Sequence, residues 1–246
     1  MTMLQGIDIS SWQEGIDIDK ALDSVDFCIV KATGGTQYVN PFCDQWVQRC
    51  IDKSKLWGFY HFANDINYNS PTEEADYFYQ NCKNYFGHGI PVLDWEVDVG
   101  VGWVNMFVRR IHELTGIWCW VYGNPWRFSQ GNVEQNCGRW IASYPGWIFH
   151  PTPGFDPGEP PDCDGLVAAW QYASDGEVPG FSGNIDMNVY YGDASSWIAY
   201  ATATPVDEVE PEPSGDGEPE PIDPTEPDVE ILENEHYRII IERKMV

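Results

Sequence analysis

Eight short apolar runs with the composition of β-strands recur through the first 190 residues, and this recurrence constrains the fold more than any other feature. We place the runs at residues 6–10, 26–32, 57–62, 90–96, 117–122, 139–143, 167–171 and 184–190. Helical patterns separate some of them, at residues 40–53, 71–84 and 102–115. Strands that alternate with helices are typical of parallel α/β folds. The sequence therefore predicts an α/β fold, an irregular (β/α) TIM-like barrel with eight strands and reduced helices.

Polar side chains lie at or near the C-terminal ends of these runs. Barrel enzymes assemble their sites at that face. We therefore expect the polar residues to converge there on one surface, namely Asp8, Lys31, His61, Asp94, Glu96, Tyr122, Gln171 and Asp186.

Asp94 and Glu96 are two carboxylic acids separated by one residue at the end of the apolar run 90–96. Side chains two apart on a strand point to the same face, with Cα atoms about 6–7 Å apart. Such a pair is suited to protonating a leaving oxygen and stabilising a developing cation, which is the chemistry of glycosidases. The motif is short and common, so on its own it is more often two acids that end a strand and face water.

Composition narrows the class of partner. The chain has 12 Trp, 13 Tyr and 11 Phe, an excess that suits a carbohydrate cleft, although core packing explains most of these rings. The formal net charge is −26, which disfavours nucleic acid, because a phosphate backbone is bound through Lys and Arg.

Cysteine usage and the N-terminus indicate where the protein is made. The seven cysteines form no C-x-x-C pair, and we expect most to be buried, reduced thiols. No metal-ligand spacing is present, so we expect no metal and no other cofactor. The N-terminus has no signal peptide pattern and no stretch reaches 18 apolar residues. We therefore expect synthesis in the cytosol and no membrane partner, with release by another agent if the target is extracellular.

The C-terminal part differs in composition from the rest. We divide the chain into a catalytic domain at 1–204, an acidic Pro/Glu-rich linker at 205–228 and a short segment at 229–246. The linker has almost no large apolar residue and is expected to be extended. The last segment has two β-branched runs but is too short for its own core. It has to dock, self-associate or stay loose.

Eight motifs occur in one collinear order that resembles the glycoside hydrolase family 25 lysozymes, the Chalaropsis-type muramidases found as phage endolysins and bacterial autolysins. The resemblance covers residues 4 to about 193 and rests on the motifs GIDISSWQ (6–13), FCIVKAT (27–33), GFYHF (58–62), LDWE (93–96), VYG (121–123), WIASY (140–144), WQY (170–172) and IDMN (185–188).

The resemblance implies a function and a set of site residues. Glu96 matches the proton donor, Asp94 its partner carboxylate, and Asp8 and Asp186 the two flanking acids. The implied reaction is hydrolysis of the β-1,4 bond between N-acetylmuramic acid and N-acetylglucosamine in bacterial peptidoglycan, so the expected place of action is the bacterial cell wall. The expected substrate-binding residues are Tyr60, His61, Tyr122, Tyr144, Trp170 and Gln171.

Some roles stay open from the sequence. Asp94 either attacks the sugar directly or orients the substrate's own 2-acetamido group, and we favour the second mechanism. Carboxylates crowded in one cleft repel one another, which raises the pKa of at least one of them. Glu96 is therefore expected to stay protonated while Asp94 is ionised. If His61 and Tyr122 do not contact the substrate, the alternative for both is a ring packed in the core. Lys31 is expected to form an ion pair with one of the acids.

One departure from the family pattern concerns Gly34. The second-strand motif of the family usually continues with Glu, whereas this chain has Lys31-Ala32-Thr33-Gly34. One cleft carboxylate is therefore missing. Because the other four acids are present, we expect activity with an altered subsite preference. The alternative is a non-catalytic component of a cell wall or virion that binds glycan in a degenerate muramidase cleft.

Overall fold

The structure, a computed structural model, describes residues 3–63 and 69–202, and the backbone of residues 229–234 and 237–242. The chain divides into two units, Met1–Val206 and Asp207–Val246. The linker predicted at 205–228 lies outside the described residues, as does the boundary proposed after residue 204.

The first unit is built on a closed barrel of eight strands with a short ninth strand attached to it. The pairing of β1 with both β2 and β9 closes the ring, and β3 pairs only with β2. The predicted eight-stranded barrel is confirmed. The strands are β1 (Leu4–Ile9), β2 (Phe27–Gly34), β3 (Tyr38–Val39), β4 (Leu56–Phe62), β5 (Ile90–Asp94), β6 (Trp120–Gly123), β7 (Arg139–Ala142), β8 (Val167–Gly176) and β9 (Ile185–Tyr190).

The strand β9 runs opposite to the other strands of the ring. It pairs antiparallel with both β8 and β1, whereas the remaining barrel pairs are parallel. Asp186 therefore lies near the start of its strand, not at its C-terminal end as expected. The reversal places the start of β9 at the face where the other strands end, and Asp186 is paired in register with Asp8. The residue thus reaches the expected face through a different topology.

The described part of the barrel has six α-helices, and three of them have eight residues or fewer. In the described residues they are α1 (Ile18–Asp23), α2 (Cys43–Asp52), α3 (Pro71–Cys82), α4 (Val101–Thr115), α5 (Pro125–Phe128) and α6 (Ala194–Ala201). Of these, α2, α3 and α4 match the three predicted helices. Local sequence explains α3 well. Ser70 Oγ accepts from Glu73 N at 3.1 Å, Glu73 Oε2 accepts from Ser70 N at 3.0 Å, and Pro71 occupies the first turn.

One end of the barrel is filled by α6, a helix that the sequence did not predict. Trp197 packs against Phe27, Trp120 and Tyr190, with ring centroids 4.7, 5.4 and 5.1 Å away. Phe27 and Trp120 begin parallel strands and Tyr190 ends the reversed one, so all three rings lie at the same end. The opposite end is left for the polar residues.

The seven cysteines are all free, and six of them are buried. This confirms the expectation of buried thiols in place of a disulfide framework. In the part of the chain that the structure describes, no helix is both long enough and apolar enough to cross a membrane.

The second unit contains a two-stranded antiparallel pair, β10 (Val229–Asn234) and β11 (Tyr237–Glu242). The two β-branched runs of this segment therefore form strands.

Candidate active site

The alternation of side chains along the strands brings the polar residues into the barrel mouth. On β5, Ile90 and Val92 pack in the barrel interior, so Asp94 two residues further on faces the same way. The same step of two leads from Ile29 to Lys31 on β2, and from Trp120 to Tyr122 on β6. Each of these three strands thus contributes a side chain to one cavity, which Lys31, Asp94 and Tyr122 all line.

The cavity has a volume of about 240 Å³ and holds all four acids expected from the sequence. It also contains four of the six expected substrate-binding residues, Tyr60, Tyr122, Tyr144 and Gln171. Among the described residues, the lining consists of Asp8, Ser10, Trp12, Lys31, Tyr60, Phe62, Asp94, Glu96, Tyr122, Trp140, Tyr144, Gln171 and Asp186.

Asp94 and Glu96 occupy different environments although they are two residues apart. Asp94 ends β5 and is only 5% exposed, whereas Glu96 lies beyond the strand end and is exposed. Burial raises the pKa of Asp94 well above its usual value, the charge and hydrogen bond of Glu96 raise it further, and the charge of Lys31 opposes them. We expected Asp94 to be the ionised member of the pair. Its burial instead favours the protonated form.

Asp8 is held by two amide side chains. Its Oδ2 accepts from Gln171 Nε2 at 2.8 Å and from Asn188 Nδ2 at 2.8 Å. Gln171 Oε1 in turn accepts from Tyr122 Oη at 2.8 Å and from Tyr144 Oη. Burial raises the pKa of Asp8 to about 6, even though the hydrogen bonds from Asn188 and Gln171 lower it. The network fixes the position of Asp8 and both tyrosine hydroxyls.

Asp186 completes the group of acids opposite Asp8 on the neighbouring strand. Burial raises the pKa of Asp186 to about 8, and the charges of Asp8 and Glu96 contribute in the same direction. Because the pKa of Asp186 is about 8 and burial raises that of Asp94 well above its usual value, the site retains protons near neutral pH. A site of this kind is able to donate a proton to a bound substrate.

Lys31 lies among aromatic rings and does not form the expected ion pair. Its Nζ is 4.3 Å from the ring centroid of Phe62, 5.6 Å from that of Tyr38 and 5.7 Å from that of Tyr60. Within the described ranges, no carboxylate oxygen lies within 4.0 Å of this nitrogen. Burial lowers the pKa of Lys31, and the charges of Asp94 and Glu96 act against that shift.

His61 and Trp170 do not line the cavity, in contrast to the sequence-based expectation. His61 is fully buried, with Nδ1 2.8 Å from Thr33 Oγ1 and Nε2 2.9 Å from Glu74 Oε2 on α3. Trp170 Nε1 donates to the backbone oxygen of Ser143 at 2.8 Å. Each is adjacent along its strand to a residue that lines the cavity, His61 to Tyr60 and Trp170 to Gln171. Because side chains alternate along a strand, His61 and Trp170 point outward to the helical layer.

Trp12, which lines the cavity, and Asn188, which contacts a lining residue, were not assigned to the site from the sequence. Asn188, which holds Asp8, stands two positions after Asp186 on β9, so the period of two could have identified it. Trp12 is 88% exposed on the 3-10 turn that follows β1, and no periodic signal marks it. Gly34 ends β2, where an added Cβ would come no closer than 3.4 Å to Phe62. A Cβ at this position would therefore meet only ordinary van der Waals contacts.

The described residues contain no group of three or more His, Cys, Asp or Glu side chains arranged to hold a metal ion.

Comparison with known proteins identifies the family. The model of glycosyl hydrolases family 25 matches residues 7–181. Lysozyme M1 of Streptomyces globisporus is 28% identical over 222 residues, which cover 82% of this chain and 72% of that protein. The N,O-diacetylmuramidase of Chalaropsis sp is 32% identical over 150 residues, which cover 52% of this chain and 71% of that enzyme.

Solved structures share the fold. The bacterial lysozyme from Streptomyces coelicolor superposes with a TM-score of 0.66 at 25% identity, covering 82% of this chain and 98% of that one. The barrel, the four acids in its mouth and the match over residues 7–181 agree with the motif resemblance. The chain therefore belongs to glycosyl hydrolase family 25, the lysozyme family of glycoside hydrolases.

Proposed function

We propose that this enzyme hydrolyses the β-1,4 bond between N-acetylmuramic acid and N-acetylglucosamine in bacterial peptidoglycan. The observation that carries the proposal is the pair of unlike carboxyls, buried Asp94 beside exposed Glu96, in a cavity with two further acids. The similarity to a lysozyme and an N,O-diacetylmuramidase supports this substrate.

In the proposed first step, Glu96 protonates the oxygen of the leaving sugar as the glycosidic bond breaks. Burial favours protonated Asp94, which donates a hydrogen bond to Glu96, and we propose that this proton passes to Glu96 in the reaction. Glu96 is the exposed member and is therefore placed to deliver that proton. Once positive charge develops on the sugar ring, an ionised Asp94 next to it is stabilised, which favours transfer of the proton out of the pair.

The nucleophile we propose is the carbonyl oxygen of the substrate's 2-acetamido group. It bonds to the anomeric carbon, and a cyclic oxazolinium intermediate forms while the leaving sugar departs. Asp94 Oδ1 is buried and accepts no hydrogen bond from the described residues, so it is available to accept from the acetamido N–H. An unsatisfied buried acceptor is costly, and binding of the acetamido group removes that cost.

In the second step, Glu96 accepts a proton from water. The water oxygen attacks the anomeric carbon and breaks its bond to the acetamido oxygen, which opens the oxazolinium ring and restores the acetamido group. The product retains the β configuration, because two displacements occur at the same carbon. Asp8 and Asp186 are proposed to stabilise positive charge on the sugar ring in both steps. Tyr60, Tyr122, Tyr144 and Gln171 are proposed to contact the sugar.

The variant Glu96→Gln tests the proposed acid. The amide keeps the shape and loses the transferable proton, so lysis of Gram-positive walls should fall on the order of 100-fold to 10,000-fold. Turbidity gives the rate, and mass spectrometry of the released reducing ends gives the bond that is cut. Glu159→Gln is the matched control, because Glu159 is exposed and lies outside the cavity. Lysis by Glu96→Gln within threefold of wild type would exclude Glu96 as the acid.

Stereochemistry tests the proposed nucleophile. NMR early in the reaction should show β products, and a thiazoline mimic of the cyclic intermediate should inhibit. Early α product would rule out the acetamido mechanism.

A further inference from the structure

A second cavity of about 390 Å³ lies on the other side of Glu96. Glu96, Tyr122 and Tyr144 line both cavities, so the two spaces adjoin along these three side chains. Trp126 and Arg127 line the second cavity and not the first.

The short helix α5 builds this second wall. It starts directly after β6, with Asn124 Oδ1 accepting from Arg127 N at 2.9 Å as the N-terminal cap. The helix buries Phe128 and leaves the Trp126 ring 57% exposed. A large flat ring left open at the edge of a cavity is the surface that a sugar face stacks on.

Arg127 joins the Trp126 ring to the segment that carries Glu96. Its Nη2 donates to the backbone oxygen of Glu96 at 2.8 Å. Its guanidinium carbon lies 5.0 Å from the Trp126 ring centroid and 5.8 Å from that of Trp95. The side chain is only 12% exposed, so this contact is held by packing as well as by charge.

The distribution of acids gives the two cavities different roles. Asp8, Asp94 and Asp186 all line the first cavity, and in the part of the chain that the structure describes Glu96 is the one acid that lines the second. A cation that develops on a sugar ring is stabilised in the first cavity. An acid that protonates the leaving oxygen has to lie between the ring that becomes cationic and the ring that leaves. Glu96 is the residue between the two cavities.

We infer that the second cavity binds the leaving-group end of the glycan strand, with Trp126 as the stacking surface for an N-acetylhexosamine ring. The inference rests on the proposed function and extends it to the other side of the scissile bond. Arg127 acts as a positioning residue that keeps the Trp126 ring and the Glu96 backbone in a fixed relation.

Two substrates separate this role from a general effect on the site. One is a peptide-free glycan strand, which has sugars on both sides of the cut. The other is the β-glycosyl fluoride of the disaccharide that ends in N-acetylmuramic acid, which has only a fluorine atom on the leaving side. Trp126→Ala should lower kcat/KM on the strand about tenfold, the effect of losing one well-packed aromatic contact. On the glycosyl fluoride it should change kcat/KM by less than about twofold, since the first cavity is intact. Trp126→Phe should recover most of the strand activity.

Trp147→Ala is the matched control, because Trp147 is 63% exposed and lines neither cavity. A similar loss on both substrates with Trp126→Ala would overturn the inference, and so would unchanged activity on the strand.

Binding measured without turnover keeps the inference distinct from the proposed reaction. Calorimetry with the glycan strand compares Glu96→Gln with Glu96→Gln/Trp126→Ala. A loss of affinity of about tenfold in the double variant supports the second subsite, and equal affinities overturn it. A wild-type enzyme that binds the strand through Trp126 but cuts neither substrate would contradict the proposed reaction alone.

Discussion

Replacing Asp8 by asparagine is expected to stabilise the protein at neutral pH and to leave stability at pH 4 nearly unchanged. Burial raises the pKa of Asp8 from 3.8 to about 6, so the ionised carboxyl is disfavoured in the folded state. Both hydrogen bonds to this side chain reach the same oxygen. One amide oxygen of asparagine can accept both, so the substitution removes the charge and keeps these contacts.

The pH window follows from the two pKa values. Below about pH 4 the carboxyl is protonated in the folded and the unfolded chain, and burial of a neutral group carries no charge penalty. Between about pH 4 and 6 the unfolded chain loses the proton first, because its pKa is lower, and stability falls by about 1.4 kcal/mol per pH unit. Above about pH 6 the penalty is complete at about 3 kcal/mol. Weaker hydrogen bonds to a neutral acceptor reduce the gain of the variant to about 2 kcal/mol.

Urea unfolding of wild type and Asp8→Asn at pH 4.0 and pH 7.5 measures the effect as a shift in midpoint at constant slope. Asp162→Asn is the control for the loss of one negative charge, because Asp162 is exposed and lines no part of the cavity. Activity of Asp8→Asn should fall, because a buried charge in an active site lowers stability but is needed for function. An equal stability difference between Asp8→Asn and wild type at the two pH values would refute the reasoning, as would a comparable gain in the control.

Four further outcomes are expected. Asp94→Asn should lower wall lysis on the order of 100-fold or more while binding of glycan persists, measured by turbidity and calorimetry. His61→Leu should lower the free energy of unfolding by about 2 to 3 kcal/mol through lost buried hydrogen bonds, with kcat/KM of the folded enzyme unchanged; a large loss of kcat/KM without loss of stability would place His61 in the site after all. Gly34→Glu should fold as the wild type by circular dichroism, since a Cβ there meets only ordinary contacts, and should alter the product lengths from glycan strands. Removal of residues 205–246 should leave hydrolysis of soluble glycan fragments nearly unchanged, because the described cavity residues all precede residue 190; unfolding of the truncated chain would contradict this.

Local sequence was sufficient for the strands, for three of the helices and for much of the cavity. Apolar runs of strand length and a capping box such as that at Ser70 are short-range signals. The spacing of Asp94 and Glu96 placed both acids in one cavity, and the collinear motifs identified the family from the residues alone.

Alternation along a strand shows which residues share a face, but not which face is inside. Tyr60 and His61 are neighbours on β4, and the sequence assigned both to the site, although only Tyr60 lines the cavity. The choice between them depends on what packs behind the strand, here α3 with Glu74. That contact is tertiary.

The direction of β9 and the unequal burial of the two central acids were also decided by tertiary structure. Strand direction depends on pairing with β1 and β8, which lie far apart in sequence. The pKa of Asp94 depends on the burial that the whole barrel provides, and Glu96 is exposed because β5 ends at Asp94. Sequence determined which side chains are available for catalysis. The closed barrel determined the environment of each one, because burial and neighbouring charge are properties of the packed chain and not of the motif.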